Sequence, residues 1–341
     1  MTIIDDWGAG ARDASAVTAH RFVDTNGLRM HIVEQGTGSP VLLCHGFPAC
    51  WYTWRHQLAA LAAAGYRAVA PDQRGYGQTT RPDAPEAYTL LHLVGDVVGL
   101  LDALGEERAV VVGHDWGAQV AWHAALLRPD RVRAVVALSV PYVPRGPVSG
   151  PRASGPPTAA MRRAYGDNFY QLYFQEPGVA EAELGRDVRA TLRRLLYSLS
   201  GNAAPAERWR PVLPGPGAGF LAATAEPLAL PPWLDEADLD TYAAAFAGSG
   251  FGGGLNWYRN IDRNWELLAA YSGAPVRQPA LFLRGDRDPT LDDPGVRKRL
   301  ARQAEVVPRL REVVLTGCGH WAAEERAADV SAAILGFLAE L

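Results

Sequence analysis

The chain has 341 residues, 48% of them hydrophobic, with 33 Lys+Arg against 37 Asp+Glu and a formal net charge of −4. That length buries a large core, either as one big domain or as a domain carrying an insertion. The near-balanced charge, without a long basic run, argues against nucleic acid or an anionic membrane surface as partner, and no apolar run approaches the roughly 20 residues of a membrane helix. Cys44, Cys50 and Cys318 are odd in number and lack metal-like spacing, and the eight histidines form no HExxH pair, so neither metal nor cofactor is expected. The acidic start Met1-Thr2-Ile3-Ile4-Asp5-Asp6 lacks the layout of a secretory signal, and a soluble cytoplasmic protein is expected.

Residues 1–19 lack periodicity and read as an N-terminal arm. Residues 20–143 read as the first part of an α/β core. Apolar runs at 21–25 and 28–33 flank Asn26-Gly27, a hairpin signal. Strands are then predicted at 40–44, 66–70, 108–112 and 132–140. Helices are predicted at 53–64 and 89–104, stopped by Gly65 and Gly105, and at 118–127. Short buried strands separated by helices argue for a mostly parallel central sheet flanked by helices on both faces.

The alternation breaks at residues 144–158, which hold five prolines and three glycines. Residues 144–272 read as a linker followed by an inserted helical lid, rich in aromatics, with Pro/Gly interruptions at 211–219 and 248–254. Residues 273–341 complete the core, with strands at 280–284 and 311–315 and helices at 296–306 and 327–341.

Gly113-His114-Asp115-Trp116-Gly117 is the most informative stretch. It joins an apolar strand to a helix, and glycines two residues either side of Asp115 permit the strained turn of a nucleophile elbow. Aspartate stands where serine is usual. A carboxylate is suited to attack a saturated carbon bearing a leaving group, giving an alkyl ester. Such an ester needs a water-activating base and an acid to orient that base. The strand at 280–284 empties into Gly285-Asp286-Arg287-Asp288, and the strand at 311–315 leads into Gly317-Cys318-Gly319-His320-Trp321. In a parallel sheet both loops share the edge that holds Asp115. His320 is the base, and either Asp286 or Asp288 the acid, the other satisfying loop amides. His45-Gly46-Phe47-Pro48 follows the 40–44 strand, placing the Phe47 amide to form an oxyanion hole with that of Trp116. The order nucleophile, acid, histidine is that of α/β-hydrolases.

Taken together, HGFP, GHDWG, GDRD and GCGHW resemble the epoxide hydrolases of the α/β-hydrolase superfamily, over residues from about 21 to 341. Tyr170-Gln171-Leu172-Tyr173-Phe174-Gln175-Glu176-Pro177-Gly178 and Leu255-Asn256-Trp257-Tyr258-Arg259-Asn260 are similar to the two lid segments that carry the family's ring-opening tyrosines. The resemblance implies an α/β-hydrolase fold, Asp115 as nucleophile, His320 as base, and Asp288, three residues after Gly285, as its acid. It implies Tyr170 and Tyr258 as proton donors to the epoxide oxygen, a small-molecule epoxide and water as substrates, and a homodimer through the lid. Two phenols of ordinary pKa about 10 suit that task, because an alkoxide leaves poorly unless protonated as it forms. Tyr173 competes with Tyr170 as its neighbour on the helix face.

Trp51, Trp265 and Pro48 are expected to line the substrate pocket, with Trp54 either there or filling the lid interface. Gly252, Gly253 and Gly254 are expected to leave room for bulky epoxides. His45 is expected to hold its turn and Cys318 to be a packed thiol. The rival readings are a haloalkane or haloacid dehalogenase, disfavoured because Phe47 offers no side-chain donor to a halide, and a ligand-binding receptor without turnover.

Overall fold

The apolar, β-branched runs become eight strands of one sheet in the computed structural model, which describes residues 18–146 and 155–341. The N-terminal arm through residue 17, and residues 147–154 of the proline-rich linker, lie outside the described residues. Asn26 and Gly27 both take positive φ (45° and 75°), the geometry that turns β1 (Ala19–Thr25) back onto β2 (Leu28–Gln35). The remaining strands are β3 (Pro40–Cys44), β4 (Arg67–Pro71), β5 (Ala109–His114), β6 (Val132–Leu138), β7 (Ala280–Gly285) and β8 (Leu310–Leu315). Their order is β1-β2-β4-β3-β5-β6-β7-β8, and of these eight only β2 runs against the rest.

The register brings the strand ends to one edge. Cys44 lies level with Gly113, His114 with Leu138, Leu138 with Leu283, and Gly285 with Leu315. From β3 the chain moves outward to β4, then crosses back to β5 on the other side of β3. Their following loops therefore diverge and leave a crevice at that edge.

Helices α1 (Arg55–Ala63), α2 (Leu90–Leu104) and α3 (Trp116–Leu127) connect these strands. Between β6 and β7 come α4 (Pro157–Tyr165), α5 (Tyr170–Tyr173), α6 (Val179–Leu184), α7 (Val188–Ser198), α8 (Glu236–Ser249), α9 (Gly252–Arg259) and α10 (Ile261–Leu267). The chain then adds α11 (Pro294–Leu300), α12 (Gln303–Val306), α13 (Ala322–Glu325) and α14 (Ala327–Leu338). None of the described helices is long and apolar enough to cross a membrane.

Strand alternation divides the core into two faces. Val41, Leu43, Val110, Val112 and Leu281 pack with Leu58 and Leu61 of α1 and with Ile334 and Phe337 of α14. Leu42, Val111, Ala137 and Phe282 face the other way and join one apolar cluster with Val97 of α2, Trp122 of α3, Leu195 of α7, Phe246 of α8 and Trp257 of α9. The helical insertion thus shares its apolar interior with the sheet. Each fully buried leucine or phenylalanine there contributes about 1.5–3 kcal/mol, so the insertion is fastened by burial.

Local departures have physical causes. The helix expected at 53–64 opens with a 3-10 turn, Trp51–Trp54, and the one expected at 296–306 is split into α11 and α12. The glycine run at 248–254 holds a helix start as well as a break: Gly250 (φ 63°) ends α8, and α9 begins at Gly252. Gly253 and Gly254 do not leave room for substrate. A Cβ on Gly254 would lie 2.5 Å from Tyr76 Oη and 2.7 Å from Phe47 Cδ2, and one on Gly253 would meet the backbone of Gly75. They let α9 approach the core closely instead. The 211–219 stretch also has a task. Pro211 accepts the Tyr170 amide at 2.9 Å, and the Leu213 amide donates to Asn168 at 2.8 Å, so this segment pins the start of α5.

Candidate active site

Asp115 sits at the sharp turn between β5 and α3 with φ 54° and ψ −120°, a conformation that costs a non-glycine residue about 1–3 kcal/mol. The flanking glycines make the turn possible. A Cβ on Gly113 would collide with the backbone of Gly117, and one on Gly117 with the carbonyl of Cys44. The turn lifts the Asp115 carboxylate above the sheet edge, where Oδ1 accepts the Phe47 amide hydrogen at 2.8 Å. The backbone of Trp116 supplies a further hydrogen bond to the carboxylate. Burial raises the Asp115 pKa above the ordinary carboxylate value, and His320 and the two amides pull against that rise.

His320 comes from the loop between β8 and α13. Its Nδ1 faces Asp288 Oδ2 at 3.2 Å and its Nε2 faces Asp115 Oδ2 at 3.7 Å. Burial pushes the imidazole pKa down, but Asp288 first and Asp115 after it outweigh burial and raise it. The other oxygen of Asp288, Oδ1, accepts the Thr290 amide at 2.9 Å and its hydroxyl at 2.7 Å. Although burial alone raises the Asp288 carboxyl, His320 and Thr290 hold it below the usual range. Asp115 retains 16% side-chain exposure, against 2% for His320 and 0% for Asp288. The carboxylate at the elbow is therefore the member of the three that an incoming molecule reaches.

Two tyrosines of the insertion overhang this group. The Tyr258 ring stands edge-on to the rings of Phe47 and Trp116, with centroids 5.6 and 5.1 Å away, above the residues whose amides hold Asp115. The Tyr170 ring lies 6.1 Å from that of Tyr258. Burial raises both phenols above their ordinary value, and the negative charge of Asp115 adds to the rise. Both hydroxyls therefore stay protonated at neutral pH.

The alpha/beta hydrolase fold family matches residues 39–327. Epoxide hydrolase A of Mycobacterium tuberculosis is 51% identical, the alignment covering 94% of this chain and 97% of the relative. Epoxide hydrolase 1 of Siraitia grosvenorii is 44% identical, with 94% and 97% covered. The crystal structure of epoxide hydrolase A from Mycobacterium thermoresistibile superposes with a TM-score of 0.87 at 49% identity, covering 94% of this chain and 98% of that one. An epoxide hydrolase from an endophytic Streptomyces gives a TM-score of 0.88 at 48% identity, with 94% and 95% covered. This chain belongs to the epoxide hydrolases of the α/β-hydrolase fold.

The other residues singled out in this epoxide hydrolase sort by their contacts. Asp286 accepts the Gly317 amide at 2.7 Å, whereas Asp288 satisfies the Thr290 amide with one oxygen and faces His320 with the other. The Tyr173 hydroxyl donates to Glu183 Oε2 at 2.8 Å, away from the phenol pair. His45 is buried, with Nδ1 3.0 Å from the Gly46 carbonyl and Nε2 accepting the Gln73 amide, which fixes its turn. Cys318 is buried, and burial pushes its thiol well above the ordinary value.

The expected pocket residues divide. Pro48 is buried beside Phe47, within the loop that faces Asp115. Trp51 is not brought to the site. Its amide donates to Asp72 and its ring packs against His20 and Tyr52, because the 3-10 turn aims it toward β1. Trp265 is turned elsewhere too, carrying the Arg145 guanidinium 3.9 Å above its indole at the linker. Trp54 is fully buried in the α1–α14 side of the core.

Sequence reading passed over three residues that shape the site. Glu325 accepts the amides of Gly319 and Trp321, on either side of His320. Gln171 donates to the Tyr170 hydroxyl, and Gln175 donates to the carbonyls of both Gln171 and Tyr258. Both glutamines lie inside a motif already in view, where the tyrosines drew the attention. Glu325 had no such signal, since its partners are backbone amides. Among the described residues no cluster of His, Cys, Asp or Glu is arranged to hold a metal ion.

Proposed function

We propose that this chain hydrolyses epoxides to vicinal diols through a covalent ester on Asp115. The observation that carries the reading is a carboxylate held by the Phe47 amide on one oxygen and facing His320 with the other, beneath two protonated phenols. Oδ2 attacks one oxirane carbon, and the carbon–oxygen bond on the opposite face breaks. Tyr170 and Tyr258 hydrogen-bond the departing oxygen and one supplies its proton. Oδ1, already accepting the Phe47 amide hydrogen, becomes the ester carbonyl oxygen.

His320, oriented by Asp288, then takes a proton from water as the water oxygen attacks the ester carbonyl carbon. The Phe47 and Trp116 amides stabilise the tetrahedral oxyanion. Collapse breaks the acyl–oxygen bond, and the diol oxygen takes the proton back from His320. Collapse leaves Asp115 as the carboxylic acid, which gives up its proton to restore the carboxylate. The phenolate regains one through solvent, so the sum is epoxide plus water giving diol.

The helical insertion serves as the lid that places both phenols over the sheet edge. The dehalogenase alternative finds no support, since Phe47 packs its ring against Phe174, Phe251 and Tyr258 and offers a halide no side-chain donor.

A single turnover in 18O-water, with enzyme in excess over styrene oxide, tests the route. Label is expected in Asp115 and absent from the first diol; label in that first diol rules out the ester.

A further inference from the structure

A phenol oxygen has one hydrogen to give and two lone pairs to fill. In Tyr170 one lone pair is already engaged, because Gln171 Nε2 donates to Tyr170 Oη at 2.8 Å. Among the described residues the Tyr170 hydroxyl donates to no protein acceptor, whereas that of Tyr173 is committed to Glu183. Gln175 fixes the surroundings of this contact, with its Nε2 donating to the Gln171 carbonyl at 2.8 Å and to the Tyr258 carbonyl at 3.0 Å. The second phenol, Tyr258, stands edge-on to the Trp116 indole with ring centroids 5.1 Å apart.

We propose that Gln171 is a positioning residue for ring opening: its amide N–H fills the acceptor side of Tyr170 Oη and turns the hydroxyl hydrogen toward the oxirane oxygen. This rests on Tyr170 acting as a proton donor in the proposed reaction. The same N–H stays in place as negative charge gathers on the phenol oxygen, so its contribution grows during carbon–oxygen cleavage. The Gln171 contact also opposes the rise that burial and the charges of Asp115 and Asp288 impose on the Tyr170 phenol.

The role belongs to one step. Alkylation of Asp115 uses the Tyr170 hydroxyl as a donor to the departing oxygen, while hydrolysis of the ester uses His320 and water. The two steps are followed separately in stopped-flow fluorescence, the chain holding ten tryptophans of which Trp116 adjoins the nucleophile. With trans-stilbene oxide, Gln171→Leu is expected to slow alkylation about tenfold, the loss of one hydrogen bond to a developing charge, and to leave ester hydrolysis within about twofold. Gln171→Glu, which only accepts, is expected to slow alkylation further, since its carboxylate takes the Tyr170 hydrogen for itself.

In a Tyr170→Phe background both substitutions are expected to have no further effect on alkylation. Alkylation unchanged in Gln171→Leu, or slowed equally in the Tyr170→Phe background, overturns the proposal, as does a parallel loss in both steps. Should Gln171→Leu fail to fold, the polar Gln171→Glu decides by the same comparison. An absent ester in the unsubstituted enzyme instead overturns the reaction route itself, so the two failures are distinct.

Discussion

The carboxylate of Glu325 accepts the Gly201 amide hydrogen at 2.9 Å, joining the helix that follows His320 to the segment that leaves α7. The same oxygen accepts the Gly319 amide at 2.9 Å, its partner oxygen accepts the Trp321 amide at 3.0 Å, and the His320 amide donates to Leu199 at 2.9 Å. Insertion and base are thereby fastened to each other. Glu325→Ala leaves three amides without their acceptor and is expected to cost about 2–4 kcal/mol of stability. It should also slow ester hydrolysis more than alkylation, since it loosens the base and not the nucleophile. Thermal denaturation and single-turnover rates check both parts, and an unchanged melting temperature would falsify the fastening.

Asp286 and Asp288 are two residues apart yet serve different partners. Asp288→Ala removes the group that orients His320 and is expected to slow ester hydrolysis by roughly 10²–10⁴-fold, with ester accumulating on Asp115. Asp286→Ala loses only the acceptor for Gly317 and is expected to change turnover by no more than about threefold, with about 1 kcal/mol lost from stability. Mass spectrometry of the trapped protein reads the ester. Accumulation in Asp286→Ala but not in Asp288→Ala would reverse the assignment.

The pH dependence of ester hydrolysis carries a sign. Asp115 helps to raise the His320 pKa in the free enzyme, and alkylation abolishes that charge. The imidazole in the ester therefore titrates below its free-enzyme value. Neutral imidazole is the base, so hydrolysis is present above this pKa and lost as pH falls through it. The acid limb of the single-turnover hydrolysis rate is expected at lower pH than the His320 titration followed by NMR in the free enzyme. Asp288→Asn, which removes the larger upward influence, should move that limb lower still. An acid limb at or above the free-enzyme titration counts against His320 as the base.

Gly253 and Gly248 offer a contrast within the insertion. A Cβ on Gly253 meets the Gly75 backbone, which has no rotamer to yield, whereas one on Gly248 meets open space. Gly253→Ala is expected to destabilise by about 1–3 kcal/mol and to weaken the seating of Tyr258 on Phe47. Gly248→Ala, inside α8, is expected to be neutral or to stabilise by up to about 1 kcal/mol. Chemical denaturation of the two variants settles it; equal stabilities would show that α9 does not press on the core.

The strands, the elbow and the three loops at the sheet edge were legible in the sequence because their signals are local. β-branched runs, glycines at fixed offsets and the order Asp115, Asp288, His320 all act within a few residues of themselves. The choice between Asp286 and Asp288 needed either the family pattern or the distance to His320, because both carboxylates satisfy the same loop chemistry. Trp51 and Trp265 went elsewhere since an indole packs equally well on a pocket wall, a histidine or a guanidinium, and only the path of the surrounding chain chooses.

Sequence by itself determined that a carboxylate would stand at the turn after β5, since Gly113 and Gly117 are what that backbone requires. Tertiary structure alone decided which groups surround it. Gly253 and Gly254 of α9, which look like space in the chain, are contacts with Gly75, Tyr76 and Phe47. Glu325 and Gln171 act on backbone amides and on a neighbouring hydroxyl, partners that leave no pattern in a string of residues. Hydrogen bonds and close packing depend on where atoms meet across long stretches of chain, and that is fixed only when the whole sheet and its insertion are in place.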